Sequence, residues 1–170
     1  MPEASLSYDL PDSGATEALG AALARAFPGA GSGAIVHLRG ELGSGKTTCA
    51  RRLLHSLGVT ATIRSPTYTL VDTYSVASLT CVHVDLYRVQ STTEVEELGL
   101  RDMTGPGYLM LVEWPEKGGV AVPVADLNLQ LDYKGDARSA ALGAVSQTGK
   151  AWLAKLAIDR SLEPYVSNLT

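Results

Sequence analysis

The chain has 170 residues, 45% hydrophobic and 19% charged, with a formal net charge of −4 and a pI near 5.3. That length suits a single domain able to bury about two-thirds of its unfolded surface. No apolar run approaches the roughly 18 residues of a membrane span, the start Met1-Pro2-Glu3-Ala4-Ser5 lacks the basic and apolar pattern of a secretory leader, and the acidic balance argues against strong autonomous binding to a nucleic-acid backbone.

Residues 1–11 read as a short lead with an edge strand at Ser5-Leu6-Ser7-Tyr8. Ser13 is placed to cap a helix running to about Phe27, with Leu19, Leu23 and Phe27 recurring at four-residue spacing. Pro28-Gly29-Ala30-Gly31-Ser32-Gly33 ends that helix. Ala34-Ile35-Val36-His37-Leu38 then has the apolar run of a buried parallel strand. Residues 48–57 predict a helix that Gly58 stops.

Residues 69–74 are strand-like, and a turn near Ser75 to Ser78 leads to a second strand at 79–85. The two predict an antiparallel hairpin. Ser91-Thr92-Thr93-Glu94 is a capping box that opens a short helix ended by Gly99. Tyr108-Leu109-Met110-Leu111-Val112 is another apolar strand, followed at once by Glu113-Trp114-Pro115. Leu127, Leu129 and Leu131 alternate with Asn128, Gln130 and Asp132, the pattern of a half-buried strand. A turn at Tyr133-Lys134-Gly135-Asp136 leads to a strand at 138–145, and Thr148 begins a last helix with Trp152, Leu153 and Leu156 near one side. Residues 159–170 read as a poorly ordered tail.

The expected fold class is α/β, a P-loop NTPase-like three-layer arrangement. It has a central, mostly parallel sheet with added antiparallel strands and helices on both faces. One such domain is expected over 1–158. Cys49 falls in a predicted helix and Cys81 in a predicted strand, which suits buried, inert thiols in a reducing cytoplasm.

Between the first apolar strand and its helix lies Gly40-Glu41-Leu42-Gly43-Ser44-Gly45-Lys46-Thr47, which fits G-x-x-x-x-G-K-[ST]. Glycines let successive backbone N–H groups converge into a nest for anionic oxygens. The opening of the helix favours the same negative charge. Lys46 adds a mobile cation for the outer phosphates, and Thr47 offers magnesium a hydroxyl. Strand, loop and helix follow in the order the motif needs, so the chain is read as binding a nucleoside triphosphate through residues 41–48, Thr48 included.

Asp85 and Glu113 each close an apolar strand. Ligands of open α/β sheets lie beyond the carboxyl ends of such strands, which brings both acids to the phosphate loop. Two carboxylates facing a phosphate cluster repel it unless a divalent cation intervenes, which is the case for magnesium. Asp85 is assigned to the metal shell, and Glu113 to polarising water or sharing the metal. In Ser65-Pro66-Thr67, Thr67 is the candidate sensor of the outer phosphate, held by a stiffened backbone. Arg88 is read either as a charge stabiliser or as a partner of Glu96 or Glu97. His37, His55 and His83 show no ligand spacing and are read as core or surface histidines.

The phosphate loop, then Ser65-Pro66-Thr67-Tyr68, Asp85-Leu86-Tyr87-Arg88, Glu96-Glu97-Leu98 and Val112-Glu113-Trp114-Pro115-Glu116-Lys117 together resemble the bacterial TsaE (YjeE) family. The pairing of Asp-Leu-Tyr-Arg with Val-Glu-Trp-Pro carries most of that specificity. The resemblance runs from the first helix to about Leu156. It implies a cytoplasmic P-loop ATPase required for threonylcarbamoyladenosine, a modification beside the anticodon of tRNAs that read codons beginning with A. It implies TsaD, which holds the transferase site, and TsaB as protein partners, with tRNA reached through their complex. Carried over by motif, Lys46 contacts phosphates, Thr47 and Asp85 serve magnesium, Glu113 supports hydrolysis, and Thr67 acts as a switch-like sensor. ATP and ADP are the implied nucleotides, and Trp114 lies near enough to respond to them or to a partner.

No arginine is preset against the outer phosphate by spacing, and one supplied late or in trans is worth about 10³–10⁵ in rate. Slow turnover alone and completion of the site by TsaD–TsaB are therefore expected. Two rivals remain at this stage. A small-molecule kinase needs a mobile basic lid, yet residues 118–137 carry only Lys134 among the basic types. A nucleotide-dependent adaptor would use ATP to change partner affinity, with hydrolysis incidental. The absence of an N/T-K-x-D tetrapeptide argues against guanine specificity.

Overall fold

The computed structural model describes residues 4–168; Met1 to Glu3 of the lead and the last two residues of the tail lie outside the described residues. Chain order is β1 (Ser5–Leu10), α1 (Ser13–Ala26), β2 (Ala34–Arg39), α2 (Lys46–Leu57), β3 (Val71–Val76), β4 (Leu79–Asp85), α3 (Thr92–Glu97), β5 (Tyr108–Glu113), β6 (Leu127–Lys134), β7 (Ala137–Ala144) and α4 (Gln147–Ala157). The strands form one seven-stranded sheet ordered β1-β7-β6-β2-β5-β4-β3. Its middle is parallel: β2 lies between β5 and β6, and β4 lies beside β5. Both margins are antiparallel, through the β3–β4 hairpin and through β7 between β6 and β1.

Strand alternation sorts the side chains into two cores. Cys81, Leu109 and Leu111 join Leu38, Leu129 and Leu131 on the face covered by α1, α2 and α4. Val82, Val84, Met110 and Val112 point the other way, under Val95 of α3, Leu100, and Ala121 and Val122 of the following short turns. Helices thus lie on both faces, but the second layer is thin. Over β2 and β6 it leaves Val120 and Val124 exposed beside His37 and Arg39.

Local chemistry explains most element ends. Asp12, rather than Ser13, caps α1: its carboxylate accepts from the Ala15 N–H at 2.9 Å. A carboxylate at that position also suits the positive end of the helix. Ser146 caps α4, which starts at Gln147, one residue ahead of the expected start. In the capping box, Ser91 accepts from the Glu94 N–H, and Glu94 reaches back to Gln90. Trp152 is fully buried, donates its indole N–H to Leu23 O at 3.0 Å and tilts against Phe27.

The segment from Asp159, expected to trail loosely, is folded at least through Tyr165. Arg160–Tyr165 is a 3-10 helix capped by Asp159, and Leu162 is buried in the main core. Arg25 of α1 binds both Asp159 and Ser161, and the guanidinium holds the Asp159 carboxyl below its usual range. Apolar Leu162 and acidic Asp159 found partners on segments distant in sequence, Arg25 of α1 among them, which a purely local reading could not register. Among the described residues no helix is long and apolar enough to cross a membrane.

Candidate active site

Register brings the candidate residues to one level. Leu38 of β2 pairs with Glu113 of β5, and Glu113 pairs with Asp85 of β4. β2 ends at Arg39, one residue beyond that level, so the phosphate loop begins at Gly40, close to where both acids end. Gly40 has φ +141°, and a Cβ there would run into Leu131 O and the Ser44 hydroxyl. Only glycine satisfies both constraints.

The loop delivers α2 with Gly45 as its N-cap, in the left-handed region at φ +106° and with no side chain capping the helix. The other three α-helices among the described residues are capped by Asp12, Ser91 or Ser146. The orphan N–H groups of α2 are therefore left to a ligand or solvent. Tyr133 donates its hydroxyl to Leu42 O at 2.7 Å, and Arg138 reaches Gly43 O while stacking on Tyr133. The tip of the β6–β7 hairpin thus holds the loop from outside. Ser44 is fully buried and its hydroxyl has no partner among the described residues.

Lys46 is only 4% exposed. Its Nζ donates to Gly40 O at 2.6 Å and Glu41 O at 2.8 Å, and lies 4.4 Å from the centre of the Trp114 ring. Burial pushes its pKa down, against opposing pulls from Glu113, Asp85 and Glu116. The ammonium is satisfied by groups it can exchange for phosphate oxygens.

Opposite stands a wall of acids. Glu113 is 2% exposed and Asp85 4%. Glu113 accepts from the Thr47 hydroxyl through Oε1 at 2.7 Å, and its Oε2 lies 2.7 Å from His83 Nε2. Asp85 accepts from the Tyr87 N–H through Oδ1 and from Ser65 through Oδ2. Thr67 is one step further out, its hydroxyl 3.0 Å from that of Ser65. Leu42, Gly43, Gly45, Lys46, Thr47, Thr48, Ser65, Thr67, Asp85, Tyr87, Glu113 and Trp114 line a cavity of about 310 Å³. Thr48 also lines a cavity of about 150 Å³ on the far side of the loop, with Asp12, Thr16 and Arg138.

Every candidate from 42 to 48 except Ser44, together with Thr67, Asp85 and Glu113, therefore meets in one cleft. Glu41 contributes its carbonyl to Lys46, while its side chain is exposed. Arg88 does not pair with Glu96 or Glu97; it stacks on Tyr68 at 4.3 Å. Four residues take parts that spacing did not assign them. Ser65, not Thr67, touches Asp85; His83 touches Glu113; Tyr133 and Arg138 brace the loop. Of these only His83 left a signal: two residues before Asp85 on a strand, it shares that acid's face.

The oxygen set suits magnesium. No cluster of three or more His, Cys, Asp or Glu able to hold a metal by itself occurs among the described residues. Magnesium keeps most of its waters and takes one or two protein oxygens plus phosphates, a demand that Thr47, Asp85 and Glu113 meet. Beneath the cleft Cys49 is wholly buried, its thiol pushed up to about 12 by burial and by the Glu113 charge.

The family "Threonylcarbamoyl adenosine biosynthesis protein TsaE" matches residues 10–140. A TsaE protein of Haemophilus influenzae is 42% identical over 116 residues, covering 68% of this chain and 73% of that protein. One from Synechocystis is 39% identical over 121 residues, covering 69% and 74%. The crystal structure of YdiB from Bacillus subtilis superposes with a TM-score of 0.74 at 24% identity, over 92% of this chain and 97% of that one, a likeness of fold. The match spans β2, the phosphate loop, both acidic strand ends, β6 and the turn into β7, and on it this chain belongs to the TsaE family of tRNA threonylcarbamoyladenosine biosynthesis proteins.

Proposed function

We propose that the chain is the ATP-binding and ATP-hydrolysing subunit of the machinery that makes threonylcarbamoyladenosine beside the anticodon, and that its cycle sustains turnover of a TsaD–TsaB complex without carrying the transferred group. The observation that carries this reading is the convergence of an uncapped helix start, a buried lysine and two buried carboxylates on one cavity.

Lys46 exchanges the carbonyls of Gly40 and Glu41 for outer phosphate oxygens, and the N–H groups of the loop and α2 take the remaining charge. Thr47 and Asp85, with Glu113 sharing the ion through a water, would hold magnesium, which would screen and polarise the polyphosphate. Thr47 gives up its bond to Glu113 as the nucleotide enters, leaving Glu113 Oε1 to orient and deprotonate water. Ser65 and Thr67 follow Asp85 and so report the outer phosphate. In this structure the catalytic groups bond one another, which fits slow turnover alone and acceleration by partners that reorder them.

The test is reconstitution with TsaD, TsaB and tRNA, comparing wild type with Lys46→Ala for ATP consumed and modified tRNA formed per complex. Wild type is expected to turn over repeatedly and the variant to stop near one modification. Folded protein that takes up neither ATP nor ADP with magnesium present, by calorimetry, overturns the reading. A Glu113→Ala chain that binds ATP, fails to hydrolyse it and still supports many rounds makes the protein an adaptor instead.

A further inference from the structure

His83 carries a second, unassigned part of the site. It is fully buried on β4, on the same sheet face as Asp85 and one pleat behind it. Its Nε2 lies 2.7 Å from Glu113 Oε2, and its Nδ1 has no partner among the described residues. An ionised carboxylate only accepts, so Nε2 carries a proton and donates. The imidazole is thus anchored to polar structure through one bond, and that bond goes to the residue read as activating water.

We infer that His83 is the positioning residue of Glu113: it binds Oε2 from inside the sheet and thereby turns Oε1 alone toward the phosphate cavity. The inference rests on the hydrolytic reading of Glu113. A carboxylate on a two-torsion stem has rotamers to choose among, and a water held for in-line attack tolerates little misplacement. Thr47 holds Oε1 while the site rests. Once that hydroxyl turns to the ligand, His83 remains as the side-chain bond that keeps the carboxylate in place. A buried histidine needs an acceptor for its N–H, and here that acceptor is the Glu113 carboxylate.

Two measurements separate positioning from packing. In ¹⁵N spectra of histidine-labelled protein, Nε2 of His83 is expected to appear protonated, and its signal to move in Glu113→Ala; an unchanged signal overturns the contact. In single-turnover ATPase assays, His83→Leu, which keeps bulk and removes the donor, is expected to lower kcat about tenfold or more, with ATP affinity within about twofold. His83→Gln, which restores an N–H at a similar reach, is expected to recover most of that loss. On a Glu113→Ala background, His83→Leu is expected to cost nothing further, because a residue acting only through Glu113 has nothing left to position. An additive loss, or failure of Gln where Leu folds equally well, overturns the proposal. A wild type with no ATPase rate overturns the hydrolytic reading, and the spectrum alone then decides the contact.

Discussion

The phosphate loop and the acid wall face each other across one cavity, yet they are held in opposite ways. The loop is eight consecutive residues, six between β2 and α2 and two opening α2, braced from outside by Tyr133 and Arg138. The wall is drawn from β4, β5 and the segment before β3, and each acid is held by side chains remote in sequence: Ser65 for Asp85, and Thr47 and His83 for Glu113. Backbone geometry makes most of the proposed anion cradle, so apart from Lys46 it is expected to tolerate side-chain changes wherever glycine is not required. Side-chain bonds make the wall, so single substitutions there change chemistry while sparing binding.

That contrast can be broken most forcefully at the loop's one essential side chain. Lys46→Ala is expected to lower ATPase activity by about 10²–10³-fold and to weaken ATP binding, in step with removal of a preset electrostatic contact. A phosphate-release assay beside calorimetry reads both. Glu113→Ala is expected to lower kcat by about 10²-fold, the smaller end of general-base effects, with ATP affinity changed by no more than a few fold. Equal losses in kcat and affinity for both variants would erase the distinction between cradle and wall.

The two halves are coupled through charge, which pH makes measurable. Burial lowers the Lys46 pKa from its ordinary 10.5, and Glu113 opposes that shift. The cation needed for phosphate is lost as pH rises through the lowered value, so ATP affinity falls at a lower pH than an exposed lysine predicts. Removing Glu113 removes an upward pull, and the alkaline fall is expected to move to still lower pH in Glu113→Ala. A titration of Kd against pH with no difference between the two proteins counts against the coupling. The smallest effect belongs to the brace: Tyr133→Phe loses one hydroxyl-to-carbonyl bond, and ATP affinity is expected to weaken several-fold with kcat unchanged.

The legible parts of the site were those whose chemistry is local. Gly40, Gly43, Gly45, Lys46 and Thr47 occur at a spacing that itself closes a turn, so motif and geometry are one statement. Asp85 and Glu113 were readable because both end apolar runs, and parallel pairing aligns such ends. Ser65 was named in a stretch where Thr67 drew the assignment, since hydroxyls two residues apart look alike until a backbone points one at Asp85. His83 looked like a core histidine and is one by burial; its partner is 30 residues away.

From the sequence alone came the phosphate loop, the strand and helix periodicities, the acids at strand ends and the motif set that marks the family. Each depends on residues within about a turn or a strand of one another, where spacing determines direction. Tertiary structure alone decided that Asp159 and Leu162 dock on α1. It also decided that the β6–β7 tip braces the loop, and that Thr47 and His83 divide the two oxygens of Glu113. Those are contacts between distant segments, whose partners are chosen by sheet order and register.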